Sequence, residues 1–309
     1  MSLLSAVAQA CNEMGITAPA ALVGSTDPQA QQLLALATRE ALDFFRLEGP
    51  WMARPRIRKE YTFNLVPVGP FTGTVTGGST TISSLSSVAG LVVGYGISGN
   101  NIAASATIVS IGANSVVMSI AASGTATTAG VSINFGQIAY DLPSDYDFMI
   151  SQTNWDRNFR WQMLGPLSPQ EWQTLISGIS PVGPRIRFRL MGGKFYIQPL
   201  PGAGQTDQIV FEYASNAWCT DSTGVTYRSA WAADTDLYLF NEDTLACGVK
   251  WRFRAAKGLE YSQEFQNWQT NTSRDIAREG GSRSLPLNAS NNILRLLNSQ
   301  NVPDTGFGT

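Results

Sequence analysis

Residues 61–140 read YTFNLVPVGPFTGTVTGGSTTISSLSSVAGLVVGYGISGNNIAASATIVSIGANSVVMSIAASGTATTAGVSINFGQIAY and contain no Asp, Glu, Lys or Arg. The rest of the 309-residue chain holds 21 basic and 23 acidic side chains. Within the stretch, β-favouring segments at 91–93, 106–111, 115–120 and 131–135 alternate with Gly and Asn turns. Short strands with such turns are typical of a small sandwich or barrel. The stretch therefore predicts an inserted all-β, sandwich-like domain at residues 66–136.

The flanking sequence predicts helices. Leu3, Val7 and Met14 recur at helical spacing, and Gly15 ends that helix. Asp27-Pro28 opens a second helix as an N-cap followed by proline at the first helical position. Residues 168–171 (SPQE) form a capping box for a short helix that ends at residue 176, and further helices are expected at about 241–257 and 259–279.

Three other segments predict strands, so the expected class is α+β: an α-helical bundle with a small antiparallel sheet and the inserted domain. Residues 54–65 and 208–213 read as strands, and residues 185–198 read as a hairpin around Gly192-Gly193. That turn would pair Leu190 with Phe195 and Phe188 with Ile197. It would place three arginines on the opposite face: Arg185, Arg187 and Arg189.

Composition excludes several classes of active site. The chain has no histidine, which removes Ser-His-Asp and Cys-His nucleophiles and His-ligated metal sites. Three dispersed cysteines cannot make a four-thiolate zinc site, and no phosphate-binding glycine motif is present. We therefore expect no enzyme activity, no cofactor and no metal. A net charge of −2 gives no general attraction to nucleic acid.

Three groups of residues could still carry chemistry. Asp141, Asp145, Asp147, Asp234 and Asp236 could act as paired carboxylates or bind Ca²⁺, but aspartate in turns is the more common reading. The eight tryptophans could stack on sugars, although core or interface positions are favoured. Two arginine stripes could contact phosphate or form solvated faces, but we favour subunit or tail interfaces matched by acids such as Glu212. The stripes comprise Arg54, Arg56, Arg58, Arg185, Arg187 and Arg189.

Several segments that flank residues 66–136 resemble the head-to-tail adaptor family of short-tailed bacteriophages, the tail tubular protein A or packaged-DNA-stabilisation type. They are residues 24–28 (GSTDP), 140–145 (YDLPSD), 153–157 (TNWDR), 165–172 (GPLSPQEW), 248–252 (GVKWR) and 256–261 (AKGLEY). The resemblance covers about residues 1–65 and 137–280, and the charge-free stretch departs from it. These segments are structural signatures and not catalytic motifs.

The resemblance implies a virion connector, made in the host cytoplasm and located at the head–tail junction. It implies a ring of identical subunits, usually twelve, between the portal protein and the tail nozzle or tail fibre proteins. Such a ring seals packaged DNA, which passes through the channel without specific binding. The expected domains are an adaptor domain (residues 1–65 and 137–281), the insert (66–136) and an extended tail (282–309). The C-terminal segment 282–309 would bind the portal through Ile293, Leu294, Leu296 and Leu297.

Two other function classes stay open at this point. In one, the protein is a carbohydrate-binding tail or baseplate protein whose inserted domain engages a surface glycan. In the other, Asp or Glu pairs hydrolyse the cell wall, which is the least favoured reading. Glycan arrays would distinguish the first alternative, and turnover of peptidoglycan would distinguish the second.

Overall fold

A computed structural model of the chain describes residues 2–46, 57–178, 183 and 185–279. Helices and antiparallel sheets are both present, which confirms the α+β class. The helices of the described residues are α1 (Leu3–Met14), α2 (Pro28–Arg46), α3 (Pro169–Ile176), α4 (Glu242–Ala256) and α5 (Ser262–Glu279). None of these helices combines the length and the apolar character needed to cross a membrane.

The helix ends lie where the capping residues predict them. Gly15 ends α1 in the left-handed conformation (φ 71°), which glycine adopts without steric cost. The Asp27 carboxylate accepts a hydrogen bond from the Ala30 N–H at 3.1 Å and so caps α2. Ser168 and Glu171 make both bonds of the predicted capping box at the start of α3. The expected helix at 259–279 begins at Ser262, because residues 257–261 form the turn after α4.

Four helices, α1, α2, α4 and α5, form what we call the helical layer. Its main core joins side chains of the first two helices to α4: Leu3, Val7, Cys11, Leu33, Ala37, Val249 and Phe253 are all buried there. α5 packs on α4 through aromatic rings, since the Trp251 ring centroid lies 5.2 Å from that of Phe265 and 5.8 Å from that of Trp268. Tyr261, just before α5, also contacts the Trp251 ring, so the aromatic side of α5 faces α4.

Outside residues 66–136, the strands build three small sheets. The first has the order β1-β14-β10-β11, with β9 also paired to β14, the second has the order β12-β13-β8, and the third has the order β16-β15-β17. These strands are β1 (Arg58–Asn64), β8 (Ala139–Asp141), β9 (Tyr146–Met149), β10 (Trp155–Asp156), β11 (Trp161–Gln162), β12 (Arg187–Met191), β13 (Lys194–Gln198), β14 (Gln208–Ser215), β15 (Cys219–Thr220), β16 (Tyr227–Arg228) and β17 (Leu237–Tyr238).

The first two sheets share one core, and we call them the sheet pair. Phe211 of β14 stacks on Phe195 of β13 at 5.5 Å between ring centroids, and Phe195 stacks on Phe188 of β12 at 4.8 Å. The hairpin has the register that its glycine turn predicts, with Leu190 opposite Phe195 and Phe188 opposite Ile197. The inward phenylalanines thus fix which residues of β12 and β14 point outward.

Residues 67–136 of the charge-free stretch form one six-stranded sheet in the order β4-β7-β2-β3-β6-β5. Its strands are β2 (Pro67–Thr76), β3 (Thr81–Ser83), β4 (Gly96–Gly99), β5 (Ile108–Ile111), β6 (Val116–Met118) and β7 (Thr127–Gly136). The Ile97 N–H donates to the Ala106 carbonyl at 2.8 Å, and the Ile108 N–H donates to the Tyr95 carbonyl at 2.9 Å. These bonds join the two end strands of the sheet, so it closes into what we call the charge-free barrel, and its strands do not form two packed sheets.

The barrel has its own buried cluster, which includes Val75, Ile82, Ile108, Ile133 and Phe135. Three of the predicted strands, at 106–111, 115–120 and 131–135, correspond to β5, β6 and β7. The predicted strand at 91–93 is wrong: Val92 and Val93 are 50% and 58% exposed and lie in a turn. This short apolar run has no strand beside it to complete a ladder.

The barrel begins and ends at neighbouring points of the sheet pair. Pro67 lies opposite Gly136 in the β2–β7 ladder, and the Gln137 N–H donates to the Val66 carbonyl at 2.9 Å. Leu65 and Gln137 are therefore close, as expected for an insertion between adjacent segments. We therefore expect residues 66–136 to fold independently of the rest of the chain.

Candidate functional site

Alternation along the hairpin places arginines on the outer face of the three-stranded sheet. Phe188 is buried in the core of the sheet pair, so its neighbours Arg187 and Arg189 point to the other side, where Lys194 also lies. Arg185 is exposed just before β12. No ion pair joins Arg185, Arg187 or Arg189 to an acid within the described part of the chain. We call the outer surface formed by Arg185, Arg187, Arg189 and Lys194 the arginine face.

The outer face of the five-stranded sheet carries a tryptophan among charged groups. Trp155 of β10 lies opposite Val210 of β14, and its side chain is 43% exposed. Glu60 of β1 lies opposite Glu212 of β14 on the same face. Arg157 donates two hydrogen bonds of 2.9 Å to the Glu60 carboxylate. We call this surface, formed by Glu60, Trp155, Arg157, Arg160 and Glu212, the tryptophan face.

A shallow cleft of about 490 Å³ runs over the tryptophan face and is lined by all five of its residues. Its ion pairs are exposed: the Arg157 and Glu60 side chains are 49% and 50% accessible. Arg58 lies 3.7 Å from the Glu212 carboxylate, in an equally open position. Exposed ion pairs of this kind contribute about 0–1 kcal/mol, so these charges can exchange partners at little cost.

Two more exposed aromatic rings lie on the β10–β11 hairpin. Phe159 and Trp161 stack on each other at 5.3 Å between ring centroids and are 53% and 37% exposed. Trp161 lies opposite Asp156 in the ladder, so it points to the other side of the hairpin from Trp155. Arg160, between Phe159 and Trp161, has the left-handed backbone (φ 58°) that turns the β10–β11 hairpin. Aromatic residues and arginine are the side chains most enriched at protein interfaces. The hairpin therefore has the composition of a contact surface.

An apolar pocket of about 410 Å³ lies between the charge-free barrel and the sheet pair. Ile97 and Ile102 of the barrel line one side, and Trp172, Met191 and Tyr196 line the other. The Ser105 hydroxyl donates to the Ile176 carbonyl at 3.1 Å and ties the barrel to the end of α3. The pocket borders the arginine face, because Met191 and Tyr196 point to the same side of their sheet as Arg189.

The aspartates singled out in the sequence hold backbone turns and ion pairs. Asp234 accepts hydrogen bonds from the Leu22 and Val23 N–H groups, and Asp236 accepts them from Ala232 and Ala233. Asp141 pairs with Lys194 at 3.0 Å. Among the described residues, no group of His, Cys, Asp or Glu is arranged to hold a metal ion. These contacts fit the turn reading for Asp234 and Asp236, whereas Asp141 lies in β8 and pairs with Lys194 across the ladder.

Asp145 differs from Asp234 and Asp236 because all of its donors are side chains. It accepts hydrogen bonds from Lys59 Nζ at 2.6 Å, Ser215 Oγ at 2.7 Å and Tyr213 Oη at 2.8 Å. Burial alone would raise the pKa of Asp145, but the three donors outweigh it and hold that pKa below its usual range. Burial, followed by the hydrogen bond to Asp145, raises the pKa of Tyr213. This group links β1 and β14 to the segment after β8 and is structural.

A buried ion cluster joins three helices of the helical layer. Glu40 of α2 is 1% exposed; its carboxylate accepts hydrogen bonds from Arg252 Nε of α4 at 2.8 Å and from Trp268 Nε1 of α5 at 2.5 Å. Arg252 also donates to Asp43 at 3.0 Å. Burial raises the pKa of Glu40, while Arg252 and Trp268 oppose that shift. A Cβ on Gly248 would lie 2.1 Å from Glu40 Cδ, so α4 needs glycine at this crossing.

The predicted interface residues are thus only partly brought together. Arg187 and Arg189 share a face, whereas Arg58 lies on the opposite side of the sheet pair beside Glu212. Arg54, Arg56 and the predicted portal-binding residues Ile293, Leu294, Leu296 and Leu297 lie outside the described residues. The sequence interpretation did not single out Trp155, Phe159 and Trp161 as a surface. Their close spacing with Arg157 and Arg160 in a polar stretch was the available signal.

Comparison with known proteins identifies the family. The family model described as SU10 adaptor protein matches residues 108–292, which include both faces except Glu60. No curated protein matches the chain. The match covers more than half of the sequence and confirms the expected resemblance. The chain therefore belongs to the SU10 adaptor protein family and is a structural head-to-tail adaptor of a bacteriophage.

Proposed function

We propose that this adaptor is a non-enzymatic connector that assembles as a ring between the portal protein and the tail, with the twelve copies that the family resemblance implies. In that position it seals the packaged DNA and presents a platform for tail nozzle or tail fibre proteins. The observation that carries this proposal is the family match across the sheet pair, α4 and α5. The part of the chain outside the charge-free barrel supplies the contacts of the ring.

The distribution of charge supports a channel through which DNA slides. The chain has a net charge of −2, and several of its cations are paired with acids: Arg252 with Glu40 and Asp43, Arg157 with Glu60, and Lys59 with Asp145. Tight non-specific binding to DNA requires many unpaired cations against phosphates. A subunit of this composition does not hold DNA that must pass.

The second part of the proposal is that the C-terminal segment after residue 281 binds the portal protein. Residues 293–297 read ILRLL and form the one apolar cluster after residue 281 in the sequence. We assign Ile293, Leu294, Leu296 and Leu297 to a groove between portal subunits, because a segment of this kind gains its free energy only by burying apolar side chains on another surface. The charge-free barrel, with Ser, Thr and Asn in place of charges, is assigned to the tail side.

The test is to mix the purified protein with its portal protein and image the mixture by negative-stain electron microscopy. We expect ring-shaped density at one end of the portal. A variant truncated after Gly281 should fold, as judged by its melting temperature, but should not stay on the portal. Portal particles without added density, at protein concentrations well above those of the portal, would contradict the proposed function.

A further inference from the structure

The arginine face and the apolar pocket meet along the β12–β13 hairpin. Arg189 lies directly opposite Tyr196 in the ladder, and Arg187 lies opposite Gln198. Both Tyr196 and Gln198 line the apolar pocket between the charge-free barrel and the sheet pair. Side chains that lie opposite each other in an antiparallel ladder have Cβ atoms about 4.5–5.5 Å apart. One ligand can therefore contact the arginines and enter the pocket at the same time.

The arginines of this surface are cations without acid partners. Among the residues that the structure describes, no ion pair joins Arg185, Arg187 or Arg189 to a carboxylate, and Asp141 of the neighbouring strand β8 pairs with Lys194 instead. Arg187 and Arg189 are alternate residues of a strand, so their Cα atoms lie about 6.6–7 Å apart. Acidic side chains at alternate positions of an extended segment repeat at the same distance. Charge and spacing thus favour an extended acidic segment as the ligand.

The pocket beside the arginines is already formed. Its volume is about 410 Å³, within the range of pockets that bind ligands. Trp172 of α3 packs edge-on against Tyr196 of the sheet at 6.5 Å between ring centroids, and the Ser105 hydroxyl of the barrel bonds to Ile176 at the end of α3. Met191 at the lining is 42% exposed, so the pocket reaches the surface. An apolar side chain held in such a pocket is a common anchor of a protein interface.

A protein segment fits this pocket better than a nucleic acid does. The Trp172 ring is 4% exposed and already contacts Tyr196, so it offers no open face on which a base could stack. Much of the remaining lining is aliphatic and includes Ile97, Ile102, Ile176, Met191 and Leu200. Such a lining suits an aliphatic or aromatic side chain beside the carboxylates of a protein, and it offers nothing to a phosphate backbone.

We propose that the arginine face and the apolar pocket together bind an acidic segment of a tail protein, with its carboxylates on Arg187 and Arg189 and one apolar side chain in the pocket. The source is a tail protein because one wall of the pocket belongs to the charge-free barrel, which the proposed function assigns to the tail side. The C-terminal segment of this chain does not suit the site, since its charged side chains after residue 281 are Arg283, Arg295 and Asp304. This inference rests on the proposed function and goes beyond it, because it names the docking site and the chemistry of its partner.

The test measures how tightly the full-length protein binds the purified tail nozzle and tail fibre proteins, by biolayer interferometry at low and at high salt. For one of these two proteins, Arg187→Gln/Arg189→Gln should weaken binding at least about tenfold and remove most of its salt dependence. Ala103→Phe, which fills the pocket, should weaken binding of the same protein at least about tenfold and leave the salt dependence in place. Met191→Gln changes an exposed lining residue and repeats the pocket test if Ala103→Phe lowers the melting temperature.

The control is Arg274→Gln/Arg278→Gln on α5, which neutralises two exposed arginines elsewhere and should bind as the parent does. If the parent binds a tail protein and the arginine and pocket variants bind it equally well, the docking site is overturned and the connector is not. If only the arginine variant or only the pocket variants lose binding, the composite site is overturned. Binding of a single-stranded DNA oligonucleotide by the parent but not by the arginine variant would then identify a phosphate site. A parent that joins the portal but binds neither tail protein also overturns the docking site, whereas a parent that does not join the portal overturns the proposed function.

Discussion

The charge-free barrel and the helical layer reach a defined structure by different means. The barrel buries only uncharged side chains, such as Ile82, Ile133 and Phe135, and its order comes from turns and from closure of the sheet. The helical layer buries Glu40 and Arg252 where three helices meet. Hydrophobic burial is non-directional, whereas a buried ion pair tolerates few arrangements of its helices. The barrel is thus suited to fold as a separate unit, and the helical layer is suited to hold its helices in one fixed arrangement.

The same difference extends to the surfaces. The barrel exposes hydroxyl, amide and aliphatic groups, including Val109 and Ile120, with no charged side chain. The sheet pair exposes arginines, glutamates and aromatic rings on two faces. Contacts made by the sheet pair should therefore weaken with salt, because screening acts on charges, while contacts made by the barrel should not.

The largest effect is expected at the buried ion cluster. Arg252→Met leaves the Glu40 carboxylate buried without its cation, and we expect a loss of about 3–5 kcal/mol in the free energy of unfolding. The control is Arg39→Met. Arg39 also pairs with Asp43, as Arg252 does, but its side chain is 70% exposed, so we expect a loss below about 1 kcal/mol. Urea unfolding measures both.

A double variant distinguishes the effect of the unpaired buried charge on stability from the effect of lost packing in this ion cluster. Glu40→Leu/Arg252→Met removes both charges, and we expect it to be more stable than Arg252→Met alone. A remaining loss of about 1–3 kcal/mol would come from the Trp268 N–H, which loses its acceptor. A double variant no more stable than the single variant would mean that packing, not the uncompensated charge, causes the loss.

The next effect concerns the barrel core. Ile133→Ala should cost about 2–5 kcal/mol, since the side chain is fully buried in the barrel cluster. The exposed Val109→Ala is the matched control and should change little. Hydrogen exchange should show lost protection in β4, β5 and β7 while α2 and α4 keep theirs. Equal loss of protection in α4 would show that the barrel and the helical layer unfold as one unit.

A smaller effect follows from the lowered pKa of Asp145. An Asp in an unfolded chain titrates near about 3.9, and the folded pKa lies lower. The Asp145 carboxylate therefore stabilises the fold above its unfolded pKa, and this stabilisation is lost as the pH falls through the folded pKa. We expect Asp145→Asn to flatten the acid side of the stability profile, measured by urea unfolding between about pH 6 and pH 3. An unchanged profile would assign the acid sensitivity to other carboxylates.

The smallest effect is expected at the start of α3. Ser168→Ala removes the cap whose hydroxyl accepts the Glu171 N–H, at a cost of about 1 kcal/mol. Thr174→Ala in the same helix serves as the control, because its exposed hydroxyl bonds only to the carbonyl one turn earlier. Thermal melting of both variants tests the difference. Equal melting temperatures would mean that the capping box contributes nothing to stability.

Local features were predictable because a few neighbouring residues determine them. Gly192-Gly193 fixes the register of the β12–β13 hairpin, and the SPQE segment fixes the start of α3. The outward direction of Arg187 and Arg189 followed from the same register. Each of these predictions depends on residues that are close in sequence.

Non-local pairings were not predictable in the same way. The closure of the barrel depends on hydrogen bonds between 94–97 and 106–108, and no residue pattern announces them. The apolar residues Val92 and Val93 matched a strand locally but found no neighbouring strand. The tryptophan face depends on β1, β10 and β14, which lie about 50 to 150 residues apart along the chain, so its five residues could not be grouped from spacing.

One measurement tests most directly whether the charge-free barrel is separate from the rest of the chain, which supplies the contacts of the ring. Residues 67–136 would be replaced by a Gly-Asn turn, which the neighbouring positions of Val66 and Gln137 allow. The molar mass of the shortened protein would then be measured by light scattering, alone and with the portal protein. We predict a folded chain that forms the same oligomer as the parent. An insoluble chain, or a folded chain that stays monomeric where the parent assembles, would contradict this account.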